Sequence, residues 1–375
     1  MSTSSRKTTL PGGPERRCRV RELGLSPGVL QPGNGNAITD VMGVRVGHVT
    51  LVEGTDVRTG VTAILPHSGN LYAEKIPAGL AVGNGYGKFT GSTQLIELGE
   101  IETPILLTNT LAVPRAAEAI VDWILARPGN EEVVSVNPIV GETNDGRLND
   151  IRRHSLAIAH MHAAIESATG GSVAEGCVGA GTGTVCFGWK GGIGTSSRRL
   201  PDSRGGFTVG ALVQSNFGGI LKMDGLPIGA ELGQDYPHAW SEAQDTRGSI
   251  MIILATDAPL SDHSLVRLAN RGLSGLARTG AAMSSGSGDY AVAFSVAREV
   301  RRCAGSHAVV REVIMHDELM SLLFLAAIEA SEEAIYNSLC MASTMTGYRG
   351  RRVEALPLDK LRAIIHRHRG KKRTP

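Results

Sequence analysis

Gly248-Ser249-Ile250-Met251-Ile252-Ile253-Leu254-Ala255-Thr256-Asp257-Ala258-Pro259-Leu260 is the stretch on which the reading of this chain turns. A charged segment, Gln244-Asp245-Thr246-Arg247, runs up to Gly248, and the compact apolar run Ile250–Ala255 reads as a buried strand. Cutting the Gly248–Ser249 bond would start a new chain with a serine that carries its own amine. A free α-amine titrates at about 7.7–8.0, so it can accept a proton near neutrality without a histidine. The Ser249 hydroxyl could also make the cut itself, by attacking the Gly248 carbonyl to give an ester that water resolves. On pattern alone, Gly-Ser before a strand is equally the entrance to an ordinary strand.

Outward from that point, 375 residues are enough to bury a large core in one or two domains. A formal charge of +2 with 20% charged residues gives no field for nucleic acid, so no nucleic-acid partner is expected. The basic ends, Arg16–Arg19 and His366–Arg373, read as solvated tails, and Met1–Leu23 as a flexible polar extension. No apolar run approaches the ~18 residues of a membrane helix, and Met1–Gly13 lacks a signal-peptide core. Five scattered cysteines, Cys18, Cys177, Cys186, Cys303 and Cys340, show no zinc spacing. A reduced, cytoplasmic enzyme without metal or membrane attachment is the expectation. The 48 glycines follow no collagen period and suit tight turns and close backbone approaches.

Short apolar pieces between Gly and Asn turns predict strands at Gly43–Val49, Gly60–Pro66, Ile105–Thr108, Val209–Gln214 and Ile250–Ala255. Pro114 fits the first turn of a helix to about Ala126, with Ala119, Ile120, Trp123 and Ile124 as its buried stripe. Further helices are expected at Asp150–Ser167, at Ser261–Asn270 with Ser261-Asp262 as cap, at Asp317–Ala330 and at Glu332–Met341. The class is layered α/β, with strands too unevenly spaced for a regular βαβ repeat.

Familiar catalytic patterns are missing. There is no Gly-x-Ser-x-Gly elbow with a downstream Asp and His, and no His-Glu-x-x-His. His154, His160 and His162 lie at spacings that do not converge on a metal. The clusters Gly83–Gly87 and Gly179–Thr184 lack a Walker ending, and substrate-site or close-packing turns fit them better than a phosphate loop.

Longer motifs carry a resemblance. Besides Gly248–Leu260 these are Gly275-Leu276-Ala277-Arg278-Thr279-Gly280, Gly286-Ser287-Gly288-Asp289, Glu142-Thr143-Asn144-Asp145-Gly146 with Leu148-Asn149-Asp150, Gly188–Arg198, and Asn216 within Val213–Gly218. Collinear from Leu25 to Arg349, the chain resembles the serine aminopeptidase family of the L-aminopeptidase D-esterase/amidases and β-peptidyl aminopeptidases.

The resemblance implies a precursor cut at Gly248–Ser249 into an α chain, residues 1–248, and a β chain, residues 249–375, sharing one composite domain. It implies a four-layer αββα sandwich like N-terminal-nucleophile hydrolases but differently connected, as in ornithine acetyltransferase. The activity implied is removal of N-terminal residues from short peptides, amides and esters, including L-aminopeptidase and D-amidase or D-esterase activity, through a Ser249 acyl-enzyme. No cofactor is implied, and αβ units are expected to form a homo-oligomer, a tetramer. An acyl transferase like ornithine acetyltransferase is the alternative, disfavoured because that family uses threonine at the new terminus.

By the same resemblance Ser249 is the nucleophile, Asn216 the oxyanion donor, and Ser287 with Asp289 the pair beside the nucleophile. Some relatives carry glutamate where this chain has Asp289. Whether the Ser249 amine or the Ser287–Asp289 pair takes the hydroxyl proton stays open. A substrate ammonium needs an acidic partner, for which Glu142, Asp145 and Asp289 are candidates. Leu71–Lys88, with Tyr86, is a candidate pocket lining.

Overall fold

A computed structural model describes residues 16–234, 248–303 and 315–371. The charged stretch Gln244–Arg247 and the first 15 residues of the expected extension lie outside the described residues. Two sheets face each other. In the first, β1 (Arg45–Glu53), β2 (Val57–Leu65), β4 (Ile105–Asn109) and β5 (Ile139–Thr143) lie in the order β1-β2-β4-β5. In the second, β3 (Glu74–Gly85), β6 (Gly192–Arg199), β7 (Thr208–Asn216), β8 (Ser249–Thr256), β9 (Gly288–Ser295) and β10 (Arg302–Cys303) lie in the order β10-β3-β9-β8-β7-β6.

Strand alternation divides the apolar residues into three layers. Val61, Ala63, Leu106 and Val140 of the first sheet face α1 (Val113–Leu125) and α2 (Ile158–Glu166), meeting Ala116, Ile120, Met161 and Ile165. The opposite faces of both sheets meet through Ile64, Leu107, Leu212, Met251, Ile253 and Val292. On the far side, Ile250, Ile252, Leu254, Ala291 and Ala293 pack on α3 (Asp262–Arg278) and α4 (Asp317–Cys340). The result is the expected αββα sandwich.

β8 is the junction. It pairs antiparallel with β7 and parallel with β9, Ser249 opposite Gly288, and every residue along it is buried. A parallel neighbour requires a crossover, which α3 supplies, starting where Ser261 caps it through Ser264 N–H. α3 runs to Arg278 rather than stopping near Asn270, because Leu268, Ala269, Gly272 and Leu276 continue the apolar stripe past that asparagine. Likewise Asp317–Ala330 and Glu332–Met341 are one helix, α4. Its acidic interruption is accommodated because Glu329, Glu332 and Glu333 each find partners inside the fold. Asp150–Ser167 is the reverse case: only Ile158–Glu166 is α-helical, after a short turn Ile151–Arg153 ended by left-handed His154.

Residues 16–23 are not part of a flexible extension. Val20–Leu23 form a 3₁₀ turn with Val20 and Leu23 buried. Arg17 donates to Leu339 O and Leu356 O, Arg19 pairs with Glu175 at 2.5 Å, and Arg21 with Glu333 at 2.7 Å. Glu333 also takes Arg198 Nη2 at 2.7 Å, and Arg198, fully buried, reaches Glu329 at 3.0 Å. The basic C-terminal run is likewise no solvated tail. Residues 366–371 of it lie in α5 (Leu358–Lys371), where Ile364 and Ile365 are buried and Arg367 and His368 meet Glu231, and residues 372–373 lie outside the described residues. Among the described residues no helix is long and apolar enough to cross a membrane.

Arg198 is the counter-charge for two enclosed carboxylates, so removing it takes away the Glu329 ion pair and leaves Glu333 with Arg21 alone. Arg198→Met should lower unfolding free energy by about 3–5 kcal/mol, the usual cost of breaking a buried pair; a denaturation midpoint unchanged from wild type would show that Glu329 and Glu333 are neutral or solvated.

Candidate active site

The parallel register of β8 and β9 builds the site. Ser249 opens β8 and is 7% exposed; opposite it, Gly288 opens β9. The Gly288 N–H donates to Gly248 O at 3.0 Å and lies 3.3 Å from Ser249 Oγ. A β-carbon on Gly288 would stand 3.2 Å from that Oγ, and one on Gly248 would come within 2.4 Å of Asn216 O. Neither has a positive φ, so close approach decides both positions: it excludes a side chain at Gly248 and leaves little room for one at Gly288.

Flanking Gly288, the Ser287 hydroxyl donates to Asp289 Oδ2 at 2.5 Å, and both side chains are buried. Burial raises the Asp289 carboxyl to about 6, with the Ser287 hydrogen bond opposing the rise. Asn84 locks this turn from β3: its Nδ2 donates to Ser287 O at 2.5 Å and to Ser285 O at 3.2 Å. It stands where the β3–β9 ladder shifts register between Asp289 and Tyr290, an irregularity of the kind that re-aims side chains beside active sites.

Asn216 ends β7 directly opposite Ser249. Its Oδ1 accepts from Val185 N–H at 2.9 Å, which leaves Nδ2 as the donor end of the amide, 3.2 Å from Asn144 O. Behind it, the buried Lys190 donates to Gly181 O and Gly191 O and ties down the glycine turn that carries Val185.

The candidate acids separate. Glu142, at the end of β5, is 3% exposed and accepts from Lys88 N–H at 3.0 Å, with the Lys88 ammonium at 3.9 Å. Gly87 and Gly288 lie between it and Ser249: a β-carbon on Gly87 would meet Glu142 Oε1 at 3.2 Å and Gly288 Cα at 3.3 Å. Burial raises the Glu142 carboxyl, against the pull of Lys88. Asp145 is turned inward, enclosed and bonded to Asn149 Nδ2 at 3.0 Å, and burial raises it to about 7 against its bond to Thr59. It belongs to the support of the loop. Tyr86 is 70% exposed and at the rim, though its backbone N–H holds Ser287 O. Thus the register sets Ser249 beside Asn216 and Gly288, with Ser287 and Asp289 flanking Gly288 and Glu142 bordering Gly87; Asp145 and the Tyr86 ring stand apart.

Asn84 and Tyr290 were not singled out in the sequence. Tyr290, 6% exposed, stacks tilted on Phe89 at 5.6 Å and its ring edge borders Gly87 and Gly288. Asn84 sits inside a glycine cluster whose composition says turn, and only the register of β3 against β9 reveals what the amide holds.

Residues 36–353 match Peptidase family S58. The β-peptidyl aminopeptidase BapA of Sphingosinicella microcystinivorans is 41% identical, over 94% of this chain and 92% of its own length. The PH0078 protein from Pyrococcus horikoshii superposes with a TM-score of 0.86 at 47% identity, covering 94% of this chain and 99% of that one. The L-aminopeptidase D-Ala-esterase/amidase from Ochrobactrum anthropi, described as a new variant of the Ntn hydrolase fold, gives 0.85 at 36%, with coverage of 93% and 98%. At that identity the chain is a relative of the enzyme and not the enzyme itself. The chain belongs to Peptidase family S58 and is a hydrolase of the aminopeptidase kind.

Asp289 should carry a pH signature. Between the ordinary value of 3.8 and about 6, an unfolded aspartate has lost its proton while the buried one keeps it. Folded stability therefore falls across that window and stays low above it. Asp289→Asn should melt higher than wild type above pH 6, with the gap closing toward pH 4, while hydrolytic activity drops. A gap that does not vary with pH would remove the burial cost assigned to this carboxylate.

Proposed function

We propose that this S58 hydrolase cuts its own Gly248–Ser249 bond. It then uses Ser249 to remove N-terminal residues from short peptides, amides and esters. The observation that carries the reading is the convergence, at the first residue of a buried strand, of a serine hydroxyl, a Ser–Asp pair, an asparagine amide and a buried carboxylate. After the cut, the Ser249 amine is the group best matched to take the hydroxyl proton: an α-amine ordinarily titrates at about 7.7–8.0, whereas burial brings Asp289 only to about 6. Ser287 and Asp289 then orient the amine and help stabilise it when protonated.

In turnover the Ser249 hydroxyl adds to the substrate carbonyl and its proton passes to the amine. The C–N or C–O bond breaks as that proton reaches the leaving group. An ester to Ser249 remains, and water resolves it by the same steps in reverse order. Asn216 Nδ2 serves the developing oxyanion, a role worth roughly 3–4 kcal/mol in serine hydrolases. Glu142 receives the substrate ammonium. An enclosed carboxylate whose pKa burial has raised gains most from an arriving cation. With carbonyl and ammonium both fixed, specificity for the first side chain is left to the remaining pocket. One relative named a β-peptidyl aminopeptidase and another named an L-aminopeptidase D-Ala-esterase/amidase support a tolerant site. The α and β chains stay together, because the ladders β7–β8 and β3–β9 cross the cut, and αβ units assemble further.

Intact mass and N-terminal sequencing of the purified protein should give a second chain beginning at Ser249, and none from Ser249→Ala. An uncut chain with full aminopeptidase activity would refute the mechanism. Glu142→Gln should raise KM for alanyl p-nitroanilide about 30-fold or more, the usual ~2–5 kcal/mol for losing a buried charge partner, with a smaller change in kcat. An unchanged KM would take Glu142 out of ammonium recognition.

A further inference from the structure

Two carbonyls must be activated in the life of this enzyme, the Gly248 carbonyl once and a substrate carbonyl at every turnover. Their donors need not coincide. Asn216 Nδ2 is directed at Asn144 O, while its Oδ1 is occupied by Val185 N–H, so neither end of the amide is engaged with Gly248. The hydrogen bond that Gly248 O does accept comes from the main chain of Gly288, at 3.0 Å. That same N–H lies 3.3 Å from Ser249 Oγ, the attacking atom.

We infer that the Gly288 main-chain N–H is the oxyanion donor for self-cleavage, a catalytic group distinct from the Asn216 side chain. This rests on the self-processing reading above and specifies its first step. As Ser249 Oγ adds to the Gly248 carbonyl carbon, negative charge moves onto Gly248 O, where the donor already stands. The Gly248 C–N bond then breaks, the Oγ proton ends on the freed Ser249 amine, and an ester joins Gly248 to Oγ. Water cleaves the ester, giving the Gly248 carboxylate and the free hydroxyl.

Three features of the fold aim this donor. The parallel register sets Gly288 beside Ser249. Asn84 and Tyr86 N–H hold Ser287 O and so fix the peptide plane that carries the N–H. The absence of a side chain at 288 keeps the approach to Oγ open. The donor is backbone, so pairing of β8 with β9 forms it, and a precursor becomes competent to cut only once that pair is in place.

The test replaces the 288 amide with an ester, by incorporating glycolic acid at position 288 in cell-free synthesis of the full chain. The comparison is a second full chain with the ester at Val292, further along β9. Appearance of the Ser249 terminus is followed by mass spectrometry, and folding by circular dichroism and melting temperature. Loss of one oxyanion donor typically slows a serine hydrolase about 10²–10³-fold. The 288 ester should therefore cut at least about tenfold more slowly than the 292 ester at similar melting temperature. Equal rates for the two esters, or a 288 ester that cuts like wild type, would overturn the assignment. A wild-type chain that never yields the Ser249 terminus would instead remove the self-processing reading itself.

Discussion

The parallel pairing of β8 with β9 is the constraint from which the rest follows. Two strands that start at the same end of a sheet bring their first residues together, and here those are Ser249 and Gly288. An antiparallel partner would have set the end of one strand beside the start of the other and separated the nucleophile from the Ser287–Asp289 turn. The crossover that parallel pairing demands is α3, and its burial against β9, β3 and α4 gives the third apolar layer. Site geometry and sheet topology are therefore one requirement.

The two asparagines divide the positioning work. Asn84 holds the turn that carries Ser287, and Asn216 closes the opposite side of Ser249 from β7. Neither is charged, which suits a site already holding two buried carboxylates whose protons burial makes harder to remove. A third charge brought to the same place would raise the desolvation cost without improving aim. The largest buried ion-pair cluster among the described residues lies away from the site, where Arg198 stands between Glu329 and Glu333 behind β6.

Much of this was legible in the residues because local signals and tertiary roles agreed. Ile250–Ala255 is apolar throughout and lies in a strand buried along its length; Pro114 opens its helix; Ser261 caps α3. The motif resemblance located Ser249, Asn216, Ser287 and Asp289, which the fold brings together. What stayed hidden depends on long-range pairing. Residues 16–23 are polar enough to read as a tail, yet Arg17, Arg19 and Arg21 each have partners more than 150 positions away. Glu142 and Asp145 look equivalent in sequence, and only the enclosure of one by Asn149 and Thr59 separates them. Asn84 could not be chosen from its glycine neighbours because its partner carbonyls are about 200 residues on.

The position of the Gly248–Ser249 bond also follows from the sheet. β8 is held between two neighbours over its whole length, so breaking the chain at its first residue removes no ladder pairing. A cut inside β8 would free a strand end to fray, and one well before it would leave the new amine on a tether away from Ser287 and Asp289. At residue 249 the amine is fixed by the strand and the carbonyl just ahead of it by Gly288 N–H. Gly248 itself has no room for a β-carbon against Asn216 O, so the residue that is cheapest to distort is also the one that the packing demands.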